Sequence, residues 1–145
     1  MQLQFTTCSS PGCARPLKIR ELCGLHYGQL PLYERLWAKV DKNGPVPTNA
    51  PNLGRCWIWT GALSSSGYGR LTGRGRKSLA AHRVAYELLV GPIPVGLTLD
   101  HLCRNPPCVN PSHVEPVTNR ENILLGVGSS ALYSRRTACG KGHAF

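Results

Sequence analysis

The chain has 145 residues, with 17 Lys or Arg against 7 Asp or Glu, which gives a formal net charge of +10. This length allows about one small domain, and no apolar run approaches the roughly 18 residues of a membrane span, so we expect no membrane partner. The basic charge favours nucleic acid as the partner. With 16 Gly, 12 Pro and 7 Cys, the chain favours loops held by metal over a large apolar core. The N terminus carries no signal-peptide pattern, so we expect a cytoplasmic protein whose reduced thiols can bind metal.

A zinc knuckle is predicted near the N terminus. Its four ligand-type residues follow the pattern C-x4-C-x9-C-x2-H: Cys8, Cys13, Cys23 and His26. Four such ligands can close a tetrahedron around Zn²⁺, and so short a segment needs metal in order to fold. The alternative is that Cys8 and Cys13 are unrelated buried thiols.

Residues 30–40 are predicted to form an amphipathic helix. Its apolar positions have the spacing i, i+3, i+4, i+7 of one helix face: Tyr33, Leu36, Trp37 and Val40. The stretch 41–54 is rich in Pro, Gly and Asn and has no periodicity, which is typical of a linker. We therefore predict a first unit over 1–40 and a core domain over 55–126.

The core is predicted to open with a β-hairpin in which residues 56–60 pair with 67–72 across a Ser/Gly loop. A basic turn at 73–77 follows. The cations of this region are candidate DNA contacts: Arg70, Arg74, Arg76 and Lys77. A cationic hairpin can lie along a DNA groove and touch backbone or bases. A solvated surface loop is the alternative.

Two further helices and one strand are predicted in the core. The stretch 80–91 has a helical pattern that ends at Gly91, with Pro92 as a stop signal. Residues 97–101 read as a strand. A T-x-x-E capping box at Thr118 starts the last clear helix, which continues to Gly126. The basic tail that follows, 127–145, is either half of a further knuckle or disordered chain, and it contains two ligand-type residues, Cys139 and His143.

The stretch 100–122 interleaves two metal-site patterns. The first is H-x-C-x4-C-x4-H, which suits a structural zinc and comprises His101, Cys103, Cys108 and His113. Asp100 and Asn122 offer the carboxylate and amide oxygens that Mg²⁺ prefers. A neutral histidine, whose ordinary pKa is about 6.5, can take a proton from water. Asp100 and His101 can share a site only if the strand ends or is distorted there, because successive strand residues point to opposite faces.

These patterns resemble a known group. The series D-H…N-P-x-H…E-N resembles the HNH endonucleases of phages and introns, and H-x-C-x4-C-x4-H-x8-N is similar to the His-Cys box homing endonucleases. Both groups belong to the His-Me finger (ββα-metal) superfamily. The resemblance covers residues 55–126, including the segments CWIWTG, GYG and AHR-x2-YE. It implies an α+β fold with a small zinc-stapled ββα-metal core and a β-hairpin, to which the N-terminal zinc knuckle and helix are added.

The resemblance also implies roles for single residues. It makes His101 the general base, with Mg²⁺ or another divalent cation held by Asp100 and Asn122. It makes Asn110 the side chain that orients His101. A transition-state arginine is common in the superfamily, and Arg83 and Arg76 are the candidates.

The same resemblance implies a structural zinc site in the core. Cys103, Cys108 and His113 match three of its ligands. The fourth comes from a cysteine on an earlier strand, which here is Cys56.

The sequence therefore predicts a DNA endonuclease that hydrolyses phosphodiester bonds in double-stranded DNA, with one catalytic Mg²⁺ and two structural zinc ions. We expect it in the cytoplasm of a bacterium or of a phage-infected host cell, as a monomer or a homodimer. The alternative is a non-catalytic zinc-dependent DNA-binding protein on the same fold.

Overall fold

A computed structural model of the protein describes residues 10–15, 29–73, 76–126, 128–137 and 143. Within these residues the strands are β1 Val40–Asp41, β2 Ile58–Trp59, β3 Arg70–Thr72, β4 Ser78–Ala80, β5 Leu97–His101 and β6 Val114–Thr118. The helices are α1 Leu32–Trp37, α2 Ala81–Leu89, α3 Asn119–Leu125 and α4 Ser129–Ser134, and 3₁₀ turns lie at Pro51–Leu53 and Pro111–His113. This mixture confirms the predicted α+β class.

The strands form three antiparallel pairs, β1 with β2, β3 with β4 and β5 with β6. The longest pair runs from Leu97 opposite Thr118 to His101 opposite Val114. Its two strands are joined by the Cys-rich loop that follows His101. Helix α3 begins directly after β6, so this pair and helix place the Asp-His dipeptide near Asn122.

The prediction that residues 56–60 pair with residues 67–72 is wrong. Strand β2 pairs with β1, with Val40 opposite Trp59, whereas β3 pairs with β4 around the basic turn. The segment predicted as its partner packs against the Trp59 ring instead, because Gly69 leaves room for it. A Cβ atom at Gly69 would lie 2.7 Å from a ring carbon. Trp59 is 2% exposed, so shielding its ring from water stabilises this packing.

One apolar cluster packs these elements together, and its buried members are Leu36, Trp59, Leu71, Ala81, Val84, Ala85 and Val109. Leu36 comes from α1, so the predicted amphipathic helix is confirmed, although it is shorter than 30–40 and Tyr33 is half exposed. The stretch 41–54 also touches the core, since the Asn49 side chain donates to the carbonyl of Leu102 at 2.8 Å. Its role as a linker between two units stays a prediction.

The end signals of the other helices are confirmed. Helix α2 ends before Gly91, and α3 carries the full capping box between Thr118 and Glu121. Helix α4 was not expected in the basic tail, where a knuckle or disordered chain was predicted.

Of the predicted N-terminal knuckle, only Cys13 falls within the described residues; Cys8, Cys23 and His26 lie outside them, as does Cys139. No helix in the described ranges is both long and apolar enough to cross a membrane.

Candidate metal centre and active cleft

Four buried side chains converge beside the loop that follows β5. They are Cys56, Cys103, Cys108 and His113, and their ligand atoms all lie within 4.8 Å of one another. A tetrahedral zinc site has ligand-to-ligand edges of about 3.5–3.8 Å. The His113 Nδ1 atom lies 3.6 Å from Cys56 Sγ and 3.7 Å from Cys108 Sγ, which fits that shape. The cluster could therefore hold a metal ion such as zinc.

The hydrogen bonding of His113 prepares its ring for this role. Its Nε2 atom lies 2.9 Å from the carbonyl oxygen of Leu53. A carbonyl can only accept, so Nε2 carries the proton and Nδ1 keeps a free lone pair towards the thiols. Sequence reasoning could not find this contact, because the carbonyl belongs to a 3₁₀ turn in the region read as a linker.

The thiols interact even without a metal ion. The Cys108 thiol donates to Cys103, which lowers the pKa of Cys103 to about 5, against the opposing effect of burial. The same bond and burial raise the pKa of Cys108, and burial raises the pKa of Cys56. The hydrogen bond from Cys108 therefore favours the thiolate form of Cys103, and thiolates are the form that binds zinc.

A cleft of about 370 Å³ lies on the other side of the same loop. Asp100 and His101 both line it, together with Asn122 on α3. The two successive residues reach one cleft at the point where β5 ends, since the chain turns at Leu102. The structure therefore brings together three of the residues to which the resemblance gave catalytic roles, whereas Asn110 and Arg83 do not line this cleft.

The ring of His101 is held by the loop backbone. Its Nε2 atom lies 3.0 Å from the carbonyl oxygen of Cys108, so Nε2 carries the proton. Its Nδ1 atom is buried and has no hydrogen-bond partner among the described residues. That nitrogen is the one left free to accept a proton.

The predicted role of Asn110 in orienting His101 needs correction. The Asn110 side chain donates to the carbonyl of Arg55 at 3.2 Å and accepts from the amide of Ser112 at 3.1 Å. These bonds hold the 3₁₀ turn that carries His113. The carbonyl of Cys108 orients the His101 ring instead, because the tight loop fixes this backbone group beside it.

Two aromatic side chains that were given no catalytic role surround His101. The His82 ring centroid lies 4.8 Å from that of His101, and the Tyr68 ring centroid lies 5.5 Å away. Burial, with smaller effects of His101 and Arg83, lowers the pKa of His82 to about 3. His82 is therefore neutral, and it packs among the buried residues of α2. The GYG segment was a motif of the resemblance, but nothing in its spacing indicated that Tyr68 contacts His101.

The carboxylate of Asp100 has two different environments. Its Oδ1 atom pairs with Arg104 Nη1 at 2.5 Å. Its Oδ2 atom is buried and has no partner among the described residues. A buried carboxylate oxygen without a partner is costly, and a bound cation would satisfy it. With the amide of Asn122 in the same cleft, the donor set fits the oxygen-preferring cation predicted there.

The candidate arginines and the hairpin cations lie elsewhere. Arg83 and Arg70 line a second cleft of about 480 Å³, which shares Tyr68 and Asn122 with the first. Arg76 and Lys77 are exposed at the basic turn, and Arg74 falls outside the described residues. Arg104 is the arginine that contacts the carboxylate of Asp100, and no spacing in the sequence indicated this contact.

Part of the core matches a known protein family. Residues 79–124 match the model of the HNH endonuclease family. This match confirms, over that segment, the resemblance to HNH endonucleases seen in its motifs.

Similar individual proteins come from bacteriophages. The chain is 42% identical to Protein 7.7 of Escherichia phage T7 over 46% of this chain and 51% of that protein. It is 38% identical to Protein 2.8 of the same phage over 46% of this chain and 45% of that one. An uncharacterized gene 5.3 protein of Enterobacteria phage T3 is 37% identical over 34% of this chain and 48% of its own length. The chain thus spans about half the length of the curated relatives it matches, and no solved structure matches it significantly.

Proposed function

We propose that the protein is a divalent-cation-dependent endonuclease that hydrolyses phosphodiester bonds in double-stranded DNA. The observation that carries this proposal is the state of His101. Its ring is oriented by the Cys108 carbonyl, its Nδ1 is buried without a hydrogen-bond partner among the described residues, and the residue lines a cleft together with Asp100 and Asn122. A DNA-binding module would have no need for this arrangement.

In the proposed reaction, Nδ1 of His101 removes a proton from a water molecule, whose oxygen attacks the phosphorus atom. The bond from phosphorus to the 3′ oxygen breaks, and that oxygen takes a proton from solvent. The products are a 5′ phosphate and a 3′ hydroxyl. Asp100 and Asn122 would hold the cation, which supplies charge neutralisation at the phosphate when bound. Zinc in the Cys3His cluster would hold the loop that follows His101, and the Cys108 carbonyl of this loop orients the His101 ring.

The remaining cations would hold the DNA. Arg70 and Arg83 line the second cleft, and Lys77 and Arg76 are exposed at the basic turn. Such groups can contact phosphates on either side of the scissile bond, and these contacts position the duplex without reading its sequence. The net charge of +10 supports a polyanionic substrate. A second zinc at the N-terminal knuckle and a homodimer remain part of the proposal.

A plasmid relaxation assay tests the function. We expect the wild type to nick supercoiled DNA with Mg²⁺ and not with EDTA, and His101→Ala to lose about 10²- to 10⁴-fold in rate. His101→Ala should still shift DNA in a gel, because the base does not contribute to the basic surface. If both proteins bind DNA and neither cuts it under any divalent cation, the non-catalytic DNA-binding alternative is correct.

A further inference from the structure

Arg104 lies where the two metal sites meet. It follows Cys103 of the zinc cluster directly, and its guanidinium pairs with Asp100 at 2.5 Å. The arginine side chain is 29% exposed, whereas that of Asp100 is 5% exposed. The guanidinium thus contacts a buried carboxylate, and Arg104 also lines the open cleft.

The backbone of Arg104 has a conformation that does not suit an arginine. Its φ angle is +52°, in the left-handed region that glycine and asparagine adopt most easily. Its amide donates to the carbonyl of His101 at 3.0 Å, so the tight turn fixes this geometry. A residue held in such a conformation without being glycine points to a role for its side chain.

The ion pair also sets up a competition. Asp100 is the carboxylate that the proposed function gives to the divalent cation, and a cation there would repel the guanidinium. Arginine stays protonated and forms paired hydrogen bonds with phosphate oxygens. A phosphodiester in the same cleft is therefore the partner to which a displaced guanidinium can turn.

We propose that Arg104 neutralises Asp100 before the cation binds, and turns to the scissile phosphate once the cation takes that carboxylate. This inference rests on the proposed function. It makes Arg104, rather than Arg83 or Arg76, the arginine that contacts the reacting group. A single movement of the Arg104 side chain would leave Asp100 to the cation and bring the guanidinium to the phosphate.

Calorimetric titration of the DNA-free protein with Mn²⁺ tests the competition. Arg104→Gln should bind Mn²⁺ about threefold more tightly or better, because a repelling charge is gone. Arg104→Lys should keep the wild-type affinity within about twofold, since it keeps the charge. Arg120→Gln is the matched control, because it removes one exposed charge from α3, the helix that carries Asn122. Unchanged or weaker Mn²⁺ binding by Arg104→Gln would overturn the proposal.

Cleavage measured on the same variants supplies the second readout. Arg104→Gln should lower kcat at saturating Mg²⁺ by about 10- to 100-fold, with a smaller loss for Arg104→Lys and none for Arg120→Gln. Tighter cation binding with slower cleavage is the expected signature, whereas a merely structural arginine would weaken both. If the glutamine variant loses zinc or melts early, Arg104→Asn replaces it, because asparagine tolerates this backbone. If even the wild type cuts no DNA, the proposed function fails, while the Mn²⁺ titration still decides the competition.

Discussion

The imidazole of His101 donates a hydrogen bond to the backbone carbonyl of Cys108, while the thiol of Cys108 belongs to the Cys3His cluster. One residue therefore takes part in both sites, through different atoms. The direction in which the proposed base points depends on a loop that the cluster holds. Loss of the structural metal should for this reason affect chemistry as well as stability.

Removing one thiol of the cluster tests this dependence. Cys56→Ser should reduce the zinc content from about two to about one per chain, and cleavage should fall with it. Cys56 lies 57 positions before His113, so its substitution also removes a link between the loop and an earlier part of the core. Elemental analysis of purified protein gives the count. Asp100→Asn is the control, because it alters the active cleft and should leave zinc unchanged. An unaltered zinc content in Cys56→Ser would remove Cys56 from the site.

The buried His82 predicts how stability depends on pH. Its folded pKa is about 3, against an ordinary value of 6.5, so below pH 6.5 the unfolded chain binds a proton that the folded protein does not. Stability therefore falls as the pH falls from 6.5 towards 3, by up to about 1.4 kcal/mol per pH unit. His82→Phe keeps an aromatic ring and removes this slope.

Urea unfolding at pH 7 and pH 5 measures the difference. The wild type should lose up to about 2 kcal/mol more than His82→Phe between the two values. Acid effects on the zinc cluster occur in both proteins and cancel in the comparison. Equal losses would mean that His82 accepts a proton in the folded state.

The capping box of α3 should matter for the cation site. Thr118 accepts from the amide of Glu121, and Glu121 accepts from the amide of Thr118. Thr118→Ala should cost about 1 kcal/mol of stability and loosen the helix start that positions Asn122. We expect a lower melting temperature and weaker Mn²⁺ binding. Thr72→Ala, at an exposed strand position, is the matched control, and equal effects of both variants would argue against the box.

The basic hairpin should contribute to DNA affinity and little to the chemical step. Arg70→Gln and Lys77→Gln should each weaken binding and reduce the slope of log affinity against log salt by about 0.9. Fluorescence anisotropy over a salt series, with Ca²⁺ in place of Mg²⁺, measures both. Lys42→Gln serves as the control, since that lysine stacks 4.4 Å over the Trp57 ring. If Lys42→Gln reduces the slope equally, the DNA contacts are distributed over the whole basic surface rather than concentrated on the hairpin.

The sequence was most informative where chemistry depends on local spacing. The cluster of Cys103, Cys108 and His113 follows from one short motif, and the capping box marks the start of α3. The resemblance supplied Cys56, which no spacing within the motif could give. These elements are either local or fixed by the needs of a metal ion, so a single sequence can reveal them.

Long-range pairing was beyond the sequence. The strand at Ile58–Trp59 could pair with several β-compatible segments, and the choice of β1 depends on where the Trp59 ring packs. The orienting carbonyl of Cys108 and the Leu53 carbonyl behind His113 are backbone groups that every residue carries. Arg104 was missed because a basic residue in a basic protein has no distinctive pattern. Only its contact with Asp100 distinguishes it.

The span between Cys56 and His113 gives the cluster one more property. A metal ion bound there would close a ring of coordination and covalent bonds around β2, β3, β4, α2 and β5. Closing so long a loop restricts the unfolded chain far more than a short knuckle can. Removing zinc with a chelator should then destabilise the fold of the core, and adding zinc back should restore it. The supply of zinc in the cell would then set how much of the protein is folded.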